Sequence, residues 1–182
     1  MKIVLASASP RRKRLMERIA GKCSARAAKI DERIHPGEEF PSAAVRLALM
    51  KARAVAGRVK NAVVIGADTI AYRGRRTYRK TDDAKAAGRI LRELSGKTHA
   101  VVTGVAVLFS GGKCVNYTVK ASVRMKKLDS KTIDGYLKTG EWKGRAGCYD
   151  VSGLGRKLVA RVKGEKETVV GLPIKRLRML IS

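Results

Sequence analysis

Acids, aromatics, cysteines and long apolar runs are all in short supply in this chain, and each shortage removes a class of protein. Asp and Glu number 15 against 41 Lys and Arg, a formal charge of +26. Such a field disfavours basic partners and favours polyanions, from nucleotides and nucleic acids to anionic membrane surfaces. The cations are spread from Arg11 to Arg178 rather than gathered in one arm, so charge alone ranks these partners weakly. Three cysteines without a CxxC spacing, and two histidines far apart in sequence (His35 and His99), speak against a disulfide scaffold and a zinc site. No apolar run approaches the ~20 residues of a membrane span, and the apolar part of MKIVLASASP is too short for a secretory signal. A reduced, cytoplasmic setting is expected. With aromatics at 4%, the core must be built from Val, Ile, Leu and Ala, which the 45% hydrophobic fraction supplies. The 182 residues suffice for one well-buried core or two small lobes sharing a cleft, and a single domain over 1–182 is expected.

Against that background the first dozen residues, MKIVLASASPRR, stand out. Lys2 to Leu5 predicts a strand, Ala6 to Ser9 a tight hydroxylated turn, and the segment from about Arg11 to Ala20 a helix. Such a junction gathers backbone N–H groups, hydroxyls and the guanidinium groups of Arg11 and Arg12 around one point, which suits a phosphate. The same residues equally describe a plain helix start, with Ser9 as N-cap and Pro10 at N1. In NAVVIGADTI, over 61–70, Ala62 to Ile65 reads as a buried strand with Asp68 and Thr69 at its end. An Asp there binds a divalent cation or orients a water, and Thr69 donates to a phosphate or a base edge; alternatively the carboxylate closes the following turn. Asp31 and Glu32, adjacent acids in a basic chain, offer either a hard-cation ligand or a pair of surface charges.

Between and beyond these stretches, Cys23 to Ala28 predicts a weak strand, and Pro41 to about Val59 a long helix capped by Ser42 and carrying Lys51. Tyr72 to Arg79 is hairpin-like about Gly74, and Asp82-Asp83 open a helix that runs to Leu94. Thr98 to Phe109 and Lys113 to Met125 read as antiparallel strands joined at Gly111-Gly112. After a helix over Ser130 to Lys138 come five glycines between Gly140 and Gly155, together with Trp142 and Tyr149. That composition suits close approach to a ligand, and it also suits ordinary turns. Strand-like Lys157 to Val162 and Thr168 to Val170, then a helix over Ile174 to Ile181, complete the pattern.

Taken in order, LASASPRR at 5–12, VIGADT at 64–69, LSGKTHAVVTGV at 94–105, TGEW and AGCY within 139–149 and VVGLP at 169–173 resemble the Maf family along essentially the whole chain. The resemblance implies a mixed α/β fold related to inosine triphosphatases: an elongated twisted mixed sheet flanked by helices, in two lobes around a cleft. It also implies a homodimer and an enzyme that hydrolyses acid anhydrides. The implied reaction is that of a nucleoside triphosphate pyrophosphatase. With a divalent cation, Mg²⁺ or Mn²⁺, it cleaves between the α and β phosphates of dTTP and UTP, of N7-methyl-GTP or of modified nucleotides, releasing the monophosphate and pyrophosphate.

Residue by residue, Asp68 matches the family's catalytic acid and metal ligand, and Glu32 an acid near the metal. Ser7, Arg11 and Arg12 match the phosphate-binding turn, Lys51 a helix lysine facing the phosphates, and Thr69 a specificity position. Lys80 matches the lysine of a Gly-Lys-Pro segment that here reads Arg79-Lys80-Thr81. Ser152 stands where the dTTP and UTP group carries Gln and the methyl-GTP group Glu. Its shorter hydroxyl does not span to a base edge as those side chains do, which leaves the base open. The +26 charge carries an alternative of another class, a basic nucleic-acid-binding protein on a Maf-like scaffold with weak or altered catalysis.

Overall fold

The computed structural model describes residues 2–182. Its elements are β1 (Lys2–Leu5), α1 (Pro10–Ala20), β2 (Ser24–Ala25), α2 (Phe40–Ala56), β3 (Ala62–Arg73), β4 (Arg76–Thr77), α3 (Ala84–Leu94), β5 (Thr98–Leu108), β6 (Cys114–Met125), α4 (Ser130–Lys138), β7 (Val159–Lys163), α5 (Lys166–Val170) and α6 (Ile174–Ile181). The fold is mixed α/β, as the family resemblance implies, with a seven-stranded sheet in the order β2-β1-β3-β5-β6-β7 and β4 paired to β3. β2, β1 and the start of β3 run parallel, Leu5 lying opposite Ile65, whereas β3–β4 and β6–β7 are antiparallel. Contacts divide the chain into two compact units, the division cutting β3, β5 and β6.

The first unit comprises Met1–Thr69, Val102–Val119 and Gly171–Ser182. It is built almost without aromatics, from side chains such as Val4, Val55, Val64 and Ala106. Small residues let α2 lie unusually close to its strands. A Cβ on Gly66 would run into the Ala48 carbonyl oxygen, and one on Gly104 into the Ala44 backbone, so these two glycines set how near the helix can come. The second unit, Ile70–Val101 and Lys120–Val170, holds most of the buried aromatic side chains. Leu91 and Leu94 of α3 and Ile133 and Tyr136 of α4 enclose Trp142, Cys148 and Tyr149 in one core.

Four local expectations are corrected. The strand expected over Cys23–Ala28 shrinks to Ser24–Ala25, paired with β1 at only two positions. α2 starts earlier, with Glu39 as N-cap and Ser42 inside the helix; Pro41 fits the first turn, where its missing N–H has no helical partner to lose. Thr168 to Val170, β-branched throughout and strand-like in sequence, lie in the helical turn α5, where Thr168 is fully buried. Lys157 sits in a 3₁₀ turn, so the last strand begins at Val159.

Candidate active site

At the C-terminal end of β1 the backbone turns and α1 begins as a capped helix. Ser9 accepts the Arg12 N–H at 3.4 Å, with Pro10 at the start. This is the plain helix start that the sequence allowed, and it coexists with the gathering of polar groups. Arg12, in the third helical position, points into the first unit and is only 5% exposed. Its Nε donates to the Gly171 carbonyl at 2.7 Å, Nη2 to Thr69 Oγ1 at 2.9 Å and Nη1 to Ser7 Oγ at 3.4 Å. Burial pulls the guanidinium below its ordinary pKa, the Asp68 charge opposing this and that of Arg11 adding to it. Thr69 Oγ1 in turn shares a hydrogen bond with Thr103 Oγ1 at 2.9 Å.

Asp68 is buried in the body of β3 rather than at a strand end, because β3 continues to Arg73. It lies three residues past Ile65, the last β3 position paired with β1, and so just beyond the parallel part of the sheet. Facing it from α2 is Lys51, also 5% exposed. Lys51 Nζ donates to Asp68 Oδ1 at 2.6 Å and pairs with Glu32 Oε1 at 2.8 Å. The approach that Gly66 and Gly104 permit is what brings this lysine against the strand. Asp68 therefore does not close a local turn with the bond seen here; it faces a cation on another element. Glu32 stands at the exposed edge of the cluster, its side chain 46% accessible. Its neighbour Asp31 points elsewhere, onto Arg33 at 2.7 Å.

The structure thus links Ser7, Arg12 and Thr69 in one network and Glu32, Lys51 and Asp68 in another, with the charges of Asp68 and Glu32 acting on Arg12. Arg11 follows half-buried on the same helix turn. Lys80 and Ser152 belong to the second unit, and both are exposed. Ser152 Oγ donates to Asp150 Oδ1 at 2.6 Å, and Arg145 holds the other oxygen of that carboxylate at 3.1 Å. The glycines nearby serve the chain itself. A Cβ on Gly153 would collide with the Glu141 carboxylate, and Gly155 is pressed against the Asp150 backbone and the Tyr136 hydroxyl. Sequence reasoning missed Thr103, whose signal was a lone hydroxyl in the apolar run VVTGVAV, and Glu141, which carried none.

Among the described residues no three His, Cys, Asp or Glu side chains gather as a metal cage. The two carboxylates of Glu32 and Asp68, converging on one ammonium, nonetheless fit a Mg²⁺-type cation. Such an ion is commonly held by one or two carboxylates, with substrate phosphates and water completing its shell.

At this edge of the sheet the parallel strands carry a buried acid beside two buried cations, and a Gly-Leu-Pro segment accepts a hydrogen bond from one of them. The family model "Maf-like protein" matches residues 2–182, and the chain belongs to the Maf family. It is 40% identical over 185 residues to a dTTP/UTP pyrophosphatase of Moorella thermoacetica, covering 100% of this chain and 94% of that one. A Clostridioides difficile dTTP/UTP pyrophosphatase is 38% identical, with 100% and 94% covered. A nucleoside triphosphate pyrophosphatase of Anaplasma phagocytophilum is 37% identical, with 99% and 94% covered. No described helix is long and apolar enough to cross a membrane.

Proposed function

We propose that this chain is a metal-dependent nucleoside triphosphate pyrophosphatase that hydrolyses the α–β anhydride of (d)NTPs or modified nucleotides to a monophosphate and pyrophosphate. The observation that carries this reading is the charge cluster of the first unit, Asp68 and Glu32 converging on Lys51 beside the buried Arg12, in a chain whose relatives bear that name. Phosphoryl transfer asks for positioned cations rather than a covalent intermediate. In this reading Arg12, Arg11, Lys51 and Ser7 bind the phosphates, and Thr69 faces the nucleoside. Asp68 orients the attacking water and takes its proton as the water oxygen bonds to the α phosphorus and the bridging oxygen leaves with pyrophosphate. Asp68 and Glu32 would hold the Mg²⁺ or Mn²⁺, which when bound spreads the developing negative charge. Pyrimidine triphosphates are the first substrates to try, since the named relatives act on dTTP and UTP. The test is pyrophosphate release from a panel of canonical and modified triphosphates with either metal. Asp68→Asn is expected to lower turnover by at least about 100-fold; silence of the unmodified protein across the panel sinks the reading.

A second reading, nonspecific nucleic-acid binding through the basic surface, is favoured by one feature of the second unit. Arg124 and Arg161 lie directly opposite each other on exposed positions of β6 and β7, a like-charge pairing that an anion would relieve. Retention of duplex DNA well above physiological salt would favour it, and loss there would leave only ordinary attraction.

A further inference from the structure

We infer that Lys51 is the resident cation of the Glu32–Asp68 pair: its ammonium fills the position between the two carboxylates and must leave when a divalent metal arrives. The inference rests on the reading above, in which those carboxylates hold the metal, and assigns the site an order of events. Both contacts, 2.6 Å to Asp68 and 2.8 Å to Glu32, have the length of charge-assisted hydrogen bonds made by one nitrogen. Mg²⁺ binds oxygens at about 2.0–2.1 Å. An ion held by the same two oxygens therefore takes the volume that Nζ now fills, and a +2 charge there repels an ammonium in contact with it.

The surroundings say what the displaced lysine needs. α2 is fixed at Gly66 and Gly104, so the Lys51 backbone stays where it is and only its flexible stem moves. The site is nearly closed to water around Lys51, and a buried cation without an anion is costly. The other buried cation, Arg12, already spends its donors on Gly171, Thr69 and Ser7. The released ammonium thus has to find a new anion, and a polyphosphate is the ligand that brings one. Metal and polyphosphate enter together, and the site holds metal weakly by itself.

The experiment is Mn²⁺ binding without nucleotide, read as free Mn²⁺ by electron paramagnetic resonance, on the full chain. Lys51→Met is expected to bind Mn²⁺ at least about tenfold more tightly than the unmodified protein, because the competing ammonium is gone. Adding Glu32→Gln to it should remove that gain. Lys13→Met, which deletes the same charge from an exposed face of α1, should change affinity less than twofold. Equal or weaker binding by Lys51→Met overturns the proposal, as does an equal gain in Lys13→Met. Should Lys51→Met not fold, Lys51→Gln is read by thermal unfolding. Saturating Mn²⁺ should raise its Tm by more than that of the unmodified protein, and an equal rise overturns the proposal. Pyrophosphate release is scored separately. Turnover without tighter Mn²⁺ binding in the variant sinks this inference alone; tighter binding without turnover by the unmodified protein sinks the pyrophosphatase reading.

Discussion

In the first unit the ammonium of Lys51 is held between the carboxylates of Asp68 and Glu32, so these charges are satisfied by one another's side chains. In the second unit the buried and half-buried polar groups are fastened largely to main chain. Glu141 accepts from the Leu154 and Gly155 N–H groups at 2.8 Å each and from the Tyr136 hydroxyl at 2.9 Å. Tyr136 also accepts the Asp150 N–H at 3.0 Å, and Trp142 Nε1 donates to the Leu137 carbonyl at 2.8 Å. A network tied to the backbone fixes a loop; one made of side-chain charges alone fixes only those side chains. The glycine-dense loop, which by composition alone suits a ligand, is thus largely filled by its own side chains.

Removing the fastening should hurt most. Glu141→Ala leaves two N–H groups and a buried hydroxyl without their acceptor, and is expected to cost about 3 kcal/mol, roughly 10 °C in Tm by calorimetry. A loss under one third of that would mean the loop holds itself without the carboxylate, and the contrast between the units would weaken.

A pH effect comes next, from His99. This side chain is 2% exposed, its Nε2 lies 2.9 Å from the Tyr149 hydroxyl, and the rings of Tyr78 and Tyr149 meet it edge-on. Burial pushes its pKa down from 6.5 to about 4, so the unfolded chain takes up a proton below pH 6.5 that the folded chain refuses until about pH 4. The second unit is therefore fully stable above pH 6.5 and loses up to roughly 3 kcal/mol as pH falls through that window. Denaturant titrations at several pH values should show the slope, and His99→Gln should flatten it.

The smallest expected effect lies at the rim of the first unit. Arg46 grips Glu38 with bonds of 2.6 and 2.7 Å, and this holds the carboxyl down to about 2. Stability from this pair is present above pH 4.5 and fades as pH falls toward 2. In Arg46→Met the Glu38 carboxyl should titrate near 4.5 by nuclear magnetic resonance with little change in stability at neutral pH, since the pair is partly solvated.

The sequence shows the long elements well, because Ala62 to Ile65 is a continuous apolar run, Thr98 to Leu108 is rich in Val and Ala, and α1 carries its own Ser9-Pro10 start. It could not show that β3 passes straight through Gly66-Ala67-Asp68. Gly66 lets α2 approach, a demand set by Ala48 and Ala52 on another element. Thr168 to Val170 misled for a related reason, since tertiary burial overrode their strand preference. Of the site, the sequence picks out Ser7, Arg12, Glu32, Lys51, Asp68 and Thr69. Their mutual pairing was invisible, as were Gly171 as acceptor for Arg12 and the tie from Ser152 to Asp150.

That bond from residue 12 to residue 171 orders the protein's own birth. All of the second unit has been synthesised once Val170 is made, whereas the first unit still lacks Gly171–Ser182, the segment that gives Arg12 its carbonyl and α1 its packing partner α6. Of the two units, the one that begins first is completed later, and Arg12 acquires its Gly171 acceptor only after the whole of the second unit has been synthesised.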